Sequence, residues 1–197
     1  MAAPTPRAYG QPTILADQLQ LDNDLWRFAS GFYEADNVAA ACLTLQEKAG
    51  VDVDVLLLAI FAQLELGIGL GVDDFVAADD LIRDWRGEVV RVLRQLRMRL
   101  KSGPAPAPNF VTDELRDRIK ASELLAEQIE LSMLETFLST LPPSRARSPP
   151  ADAPGVPLRV ARYFAAAAGI ALDEPELGHA LGVLDRAIRE CAIRRQD

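Results

Sequence analysis

The sequence predicts an all-α protein, a bundle of about five helices followed by a C-terminal pair of helices. Three observations predict this fold class. Apolar residues recur at helical spacing in most segments, glycines and cap residues separate those segments, and a chain of 197 residues that is 49% hydrophobic can bury a core. The strand-like alternation of VDVDV, residues 51–55, stops after five residues and continues into an unbroken apolar run, which favours a helix there.

The first helix is predicted to follow a flexible leader. Residues 1–20 contain three prolines and little periodicity. Asp22 or Asn23 can cap a helix after the leader, and Leu25 and Ala29 begin its apolar face. The bundle domain is therefore predicted to span residues 21–141.

The next two helices are separated by a locally encoded break. Asn37 can cap the first of them, and Gly50 suits the left-handed residue that ends many helices. Asp52 can cap the second, whose apolar residues cover almost its whole circumference from 53 to 66. A helix of this kind is predicted at the centre of the bundle.

Two long helices with opposite charge follow the glycine-rich break at residues 67–71. Residues 81–101 contain seven basic and two acidic side chains, with a possible bend at Gly87. After the linker at 103–109, Thr112 and Asp113 are predicted to begin a helix that runs to about residue 141. We identify a basic and an acidic stripe on this pair of helices: Arg83, Arg86, Arg94, Arg97 and Lys101, and Glu123, Glu127 and Glu130.

Three interpretations of these stripes remain open from the sequence. The two helices can fold into an antiparallel hairpin, so that the stripes pair with each other. The stripes can instead form an interaction surface for another protein or a second copy of the chain. A ferritin-type carboxylate metal site would need Glu-x-x-His pairs on two helices, whereas the chain has only His179. No metal ligand is assigned from the sequence.

The C-terminal part is predicted as a separate pair of helices. Residues 142–157 are rich in proline, serine and alanine and predict a linker. Residues 158–197 then form a helical hairpin, which cannot bury its apolar faces alone. It is expected to dock on the bundle or to dimerise.

Charge and cysteine content exclude several classes of protein. The net charge of −8 opposes general binding to nucleic acid. Cys42 and Cys191 lie far apart and have no zinc-type spacing, so a reducing cytoplasm is the expected location. The longest apolar run, residues 55–62, is too short to span a membrane.

Four segments together resemble a known protein family. They are LWRFASGFY at 25–33, CLTLQEKAGVDVDVLLLAIF at 42–61, LRQLRMRLK at 93–101 and ELLAEQIE at 123–130. In this order, over about residues 22–138, they look like a proteobacterial family of helical domains of unknown function. The resemblance implies a bacterial cytoplasmic protein, and it implies no reaction.

The sequence favours a non-catalytic helical interaction or assembly module. No nucleophile has an evident base beside it, so no catalytic residue and no cofactor are assigned. The expected partner is another protein or a second copy of the chain. Two alternatives are a carboxylate-metal enzyme and a binder of small molecules or lipids. The second would use a pocket near Trp26, Phe32, Gln46, Phe61 and Trp85.

Overall fold

A computed structural model describes residues 19–141 and 155–194, and within these ranges the chain is helical without strands. The predicted all-α class is therefore confirmed. The described residues form eight α-helices, or seven if α4 and α5 are counted as one helix interrupted by the π-helical segment Arg86–Val90. The α-helices are α1 (Asp24–Tyr33), α2 (Val38–Ala49), α3 (Val53–Glu65), α4 (Val72–Trp85), α5 (Arg91–Arg99), α6 (Phe110–Ser139), α7 (Val156–Ala168) and α8 (Pro175–Ile193).

Helix α3 lies at the centre of the bundle, as its apolar circumference predicts. Every residue from 55 to 63 is buried. Helices α1, α6 and α7 pack around it, while α4 packs against α6 and α7. None of the helices in the ranges 19–141 and 155–194 has the length and apolar character needed to cross a membrane.

Local signals position the helices that surround α3. The Asn23 side chain accepts a hydrogen bond from the Trp26 N–H and caps α1. Gly50 ends α2 with φ at +65°, a conformation that favours glycine. Asp52 caps α3 by accepting hydrogen bonds from the N–H groups of Asp54 and Val55.

The start of α6 differs from the expectation. The helix begins at Phe110, because Asn109 is its cap and accepts hydrogen bonds from the N–H groups of Val111 and Thr112. The Thr112 hydroxyl accepts a hydrogen bond from the Asn109 N–H in return. Thr112 therefore belongs to the first turn of α6 rather than preceding it.

The two C-terminal helices pack on the rest of the bundle. Helix α8 lies along α2, and α7 packs against α3, so their buried side chains join the same apolar core. Helix α7 begins at Val156, inside the segment predicted as linker, because Pro157 lies in its first turn, where proline is tolerated. His179 is exposed on α8. Most of the predicted leader and linker lies outside the described residues.

Candidate functional site

Charged side chains lie along the interface of α3, α4, α5 and α6. We call this set the polar seam, and its carboxylates come from three separate parts of the sequence. Its members are Asp52, Asp54, Asp79, Arg86, Arg94, Arg97, Glu123, Glu127 and Glu130.

Arg86 joins the seam at the first residue of the π-helical segment. Its Nη1 donates to Asp52 Oδ2 over 2.8 Å, and its Nη2 lies 2.7 Å from Asp79 Oδ1. All three side chains are only 11% to 12% exposed. Burial acts to lower the pKa of Arg86, but Asp52 and Asp79 outweigh it and raise that pKa above the usual range. π-Helical segments often occur at functional sites, and this one aims a buried guanidinium at two carboxylates.

Arg94 and Arg97 connect α5 to α6. Arg97 Nε donates to Glu123 Oε2 over 2.5 Å, and Arg94 Nε donates to Glu123 Oε1 over 3.0 Å. Arg94 Nη2 also donates to Glu127 over 2.6 Å. The helices therefore form an antiparallel hairpin in which the basic and acidic stripes pair, the first of the three interpretations left open by the sequence.

Substituting Glu123 with glutamine should change how stability depends on acid pH. Burial alone would raise the pKa of Glu123, but hydrogen bonds from Arg97 and Arg94 outweigh it and lower that pKa. A lowered folded-state pKa stabilises the protein above the unfolded value of 4.5, and this stabilisation is lost as the pH falls through the folded-state pKa. Glu123→Gln should lower the free energy of unfolding by about 2 kcal/mol at neutral pH, and this difference from the wild type should become smaller below pH 4.5.

Urea unfolding at neutral and acid pH measures this difference. The matched control is Glu114→Gln on the same helix, whose exposed pair with Arg118 is expected to contribute less than about 1 kcal/mol at either pH. If the free energies of unfolding of the wild type and of Glu123→Gln differed by the same amount at every acid pH, the prediction would be contradicted.

Asp54 and Glu130 form the least neutralised part of the seam. Burial and the neighbouring Glu130 raise the pKa of Asp54 well above its usual value. Burial and Asp52 raise the pKa of Glu130 to about 8, although Arg86 acts in the opposite direction. Glu130 is 1% exposed, and its Oε2 has no hydrogen-bond partner among the described residues. The half-buried carboxyl of Asp54 and the buried carboxyl of Glu130 therefore lie close together with no salt bridge to either among the described residues.

Tyr33 and Cys42 lie beside Asp54. Burial, with the nearby Cys42 and Asp54, raises the pKa of Tyr33 above its usual range. Burial raises the pKa of Cys42 to about 11, so its thiol is protonated at neutral pH and is not an activated nucleophile. Cys42 is a buried structural residue, as its place on the inward face of α2 predicts.

The remaining residues of the two predicted stripes lie on the surface. Arg83 pairs with Asp79 and Asp80 on its own helix. Lys101 is exposed after the end of α5. The stripes therefore divide between the polar seam and exposed positions, and the sequence pattern could not separate them because both kinds share the same helical spacing.

The residues of the predicted pocket lie in different places. Phe32 and Phe61 line one open groove of about 690 Å³ with Phe28, whereas Trp26, Gln46 and Trp85 are not among its lining residues. The Trp85 indole N–H instead donates to the Ala126 carbonyl of α6 over 3.0 Å. Trp26 and Gln46 are half-buried.

Sequence reasoning assigned no functional part to Asp52, Asp54 and Asp79. Asp52 and Asp54 fit helix-capping and first-turn positions, which explains their presence without any site. Asp79 lies on α4 seven residues before Arg86, two turns earlier on the same continuous helical stretch, so helical spacing already places the two side chains on one face. An acidic residue on an otherwise buried face was the available signal, since such a residue needs a partner.

The polar seam lies within a part of the chain that matches a known protein family. Residues 24–134 match the sequence model of a family described as a protein of unknown function (DUF2390). The chain belongs to this family. The matched range extends from α1 to most of α6 and contains every residue of the seam. The resemblance seen in the four sequence segments is thus confirmed as one to a family of unknown function. Searches of curated proteins and of solved structures gave no match.

Proposed function

We propose that this protein is a non-catalytic interaction module that binds an acidic amphipathic helix of a partner protein. The binding surface is the hairpin arm, which we define as residues 91–122, comprising α5, the following loop and the first turns of α6. The observation that carries the proposal is a set of apolar side chains, each 47% to 86% exposed, on this arm: Val92, Leu96, Met98, Phe110, Val111 and Leu115.

The arm differs from the bundle in packing. Helix α5 contains no buried residue and packs against α6 and the π-helical segment. Val92 and Leu96, four residues apart, share one side of α5. Isolated exposed apolar residues are ordinary, but six in one short hairpin provide several apolar contacts for a second amphipathic helix.

The arm also differs from the rest of the chain in charge. It carries eight basic and three acidic side chains, within a protein whose net charge is −8. Arg94 and Arg97 are used by the seam, but Arg91, Arg99 and Lys101 are exposed and form no salt bridge with the described residues. A partner helix with acidic residues beside its apolar stripe therefore fits this surface. The acidic remainder of the chain disfavours nucleic acid and anionic membrane.

Photo-crosslinking in native lysate tests the proposal. A benzoylphenylalanine at position 110 should crosslink to a peptide that is acidic and amphipathic, and the yield should fall with rising salt. Arg91→Glu with Arg99→Glu should reduce the yield by about tenfold or more, because both charges would then repel the partner. The control is Leu43→Asp, which changes an exposed leucine on α2 outside the arm.

Other results would count against the proposal. Crosslinks to peptides of no particular charge, or a yield unchanged by the charge reversals, would remove the arm as a specific surface. If the protein formed no peptide crosslink and instead floated with vesicles of phosphatidylserine and phosphatidylcholine, the arm would bind a lipid surface. Crosslinks between two copies of the chain would show self-association through the arm.

A binder of small molecules or lipids is the second candidate function. The open groove between α1, α3 and α8 favours it, since Phe28, Phe32 and Phe61 provide an apolar wall. The rings of Phe28 and Phe32 are 5.6 Å apart and nearly parallel, which is also how core aromatics pack. Arg27 at the rim already pairs with Asp22 and Asp24, so it is not available to an anionic group. The groove thus supports this function less than the arm supports an interaction module.

A further inference from the structure

We propose that Asp52, Asp54 and Glu130 form a binding site for a hard divalent cation such as Mn²⁺, Mg²⁺ or Ca²⁺. The inference goes beyond the proposed function, because it concerns the base of the hairpin and not the surface of its arm. It rests on the geometry of three carboxylates and on one buried oxygen that has no partner.

The three carboxylates converge in space although they come from different elements. One oxygen of each lies within 4.8 Å of an oxygen of the other two. A hard cation binds oxygen at about 2.0 to 2.6 Å, so ligand oxygens on opposite sides of it are about 4 to 5 Å apart. The observed spacing therefore matches oxygens that share one ion.

Glu130 supplies the second and independent observation. The residue is 1% exposed, and its Oε2 is buried without a hydrogen-bond partner among the described residues. A buried carboxylate oxygen without a partner costs free energy, because it has lost its water and gained nothing in exchange. A cation at the convergence point would remove this cost.

Charge balance supports the same assignment. Arg86 reaches Asp52, whose other oxygen caps α3. Neither Asp54 nor Glu130 has a salt bridge within the described residues, and Glu127 adds a further negative charge nearby that Arg94 neutralises. The one guanidinium that reaches the cluster is shared between Asp52 and Asp79, so a divalent ion can supply the positive charge that Asp54 and Glu130 lack when they are ionised.

The donor set defines the class of ion. Carboxylate oxygens suit Mg²⁺, Mn²⁺ and Ca²⁺, and no histidine faces the cluster. The Cys42 thiol near the cluster is fully buried. Three protein ligands leave positions for water, which these ions accept. The ion would connect the start of α3 to the middle of α6 and so fix the base of the hairpin.

The test uses the full chain, freed of metal by chelation, and Mn²⁺ alone as the probe. Loss of the free-Mn²⁺ signal in electron paramagnetic resonance measures binding, and thermal unfolding measures stabilisation. We expect one ion per chain and a Tm that rises with Mn²⁺ concentration. Asp54→Asn and Glu130→Gln should each weaken binding by about tenfold or more, since even outer-shell partners of a metal contribute about 10- to 100-fold.

Glu135→Gln is the matched control. Glu135 is also a partly buried glutamate of α6 with a raised pKa, but it faces α1 and lies outside the cluster. Its variant should bind Mn²⁺ as the wild type does. Circular dichroism of each variant shows whether the fold is retained, and the wild-type titration tests the site even if one variant does not fold.

Several outcomes would overturn the inference. One is a free-Mn²⁺ signal unchanged up to about 1 mM, the weak limit for protein sites of this kind. Another is equal binding by wild type, Asp54→Asn and Glu130→Gln, which would place the ion elsewhere. A third combines two results: Asp54→Asn raises the Tm in chelated buffer, and the wild type does not respond to Mn²⁺. Together these results would show that a shared proton, rather than a metal, lies between the two carboxyls.

Discussion

Replacing Arg86 with alanine is expected to lower the free energy of unfolding by about 3 kcal/mol or more, as measured by urea denaturation in chelated buffer. The guanidinium lies between Asp52 and Asp79, and both carboxylates are only 11% to 12% exposed. Removing it leaves two buried negative charges without their cation. The cost of such unpaired charges exceeds the net contribution of the ion pairs themselves.

Two further variants separate this effect from a general loss of charge. Arg83→Ala removes a neighbouring arginine that is 57% exposed and paired on its own helix, and it should cost less than about 1 kcal/mol. In the background of Arg86→Ala, Asp79→Asn should restore part of the lost stability by neutralising one of the unpaired carboxylates. If Arg86→Ala were no more destabilising than Arg83→Ala, the buried-pair interpretation would be contradicted.

The sequence predicts the helices of this protein well because their signals are local. Gly50 and Asp52 lie next to each other in the chain, and the structure uses them as the end of α2 and the cap of α3. The continuous apolar run after Asp52 likewise predicts the central helix, since a helix without a polar face can only be buried. Each of these features is decided within a few residues.

The polar seam could be predicted only in part, since its contacts join distant residues. The pairing of Arg94 and Arg97 with Glu123 follows from two complementary stripes on successive helices, and it was one of the alternatives the sequence left open. The contact of Arg86 with Asp52 joins residues that are 34 positions apart, through a π-helical segment that no spacing predicted. A bend near Gly87 was the only local signal. An extra residue in a helical turn rotates the side chains that follow it, so helical spacing fails at this point.

The cluster of Asp52, Asp54 and Glu130 is even harder to predict from the sequence. Asp54 occupies a first-turn position that the helix dipole explains, and Glu130 belongs to an acidic stripe whose other members pair with arginines. Nothing in the local pattern distinguishes Glu130 from Glu123. Their difference arises from register, because α5 presents Arg94 and Arg97 to Glu123, whereas Glu130 faces the start of α3.

Replacing Leu184 of α8 with alanine is expected to lower the free energy of unfolding by about 3 kcal/mol, and to shift the whole unfolding transition rather than a part of it. Leu184 is fully buried and belongs to the same apolar core as the central helix. A large-to-small substitution in such a core removes transfer free energy and leaves a cavity. If α7 and α8 are integral to the core, the loss of unfolding free energy should destabilise every helix to the same extent.

Leu58→Ala on the central helix is the reference variant, since Leu58 is also fully buried in that core. Leu43→Ala is the control, because Leu43 is 52% exposed and its truncation should change stability by less than about 0.5 kcal/mol. Far-ultraviolet circular dichroism and tryptophan fluorescence should report one common midpoint for each variant, because Trp26 and Trp85 both lie outside α7 and α8. If Leu184→Ala instead produced an early transition in circular dichroism while the fluorescence midpoint stayed at the wild-type value, the C-terminal pair would unfold as a separate unit. Docking against α2 would then contribute little to the stability of the bundle.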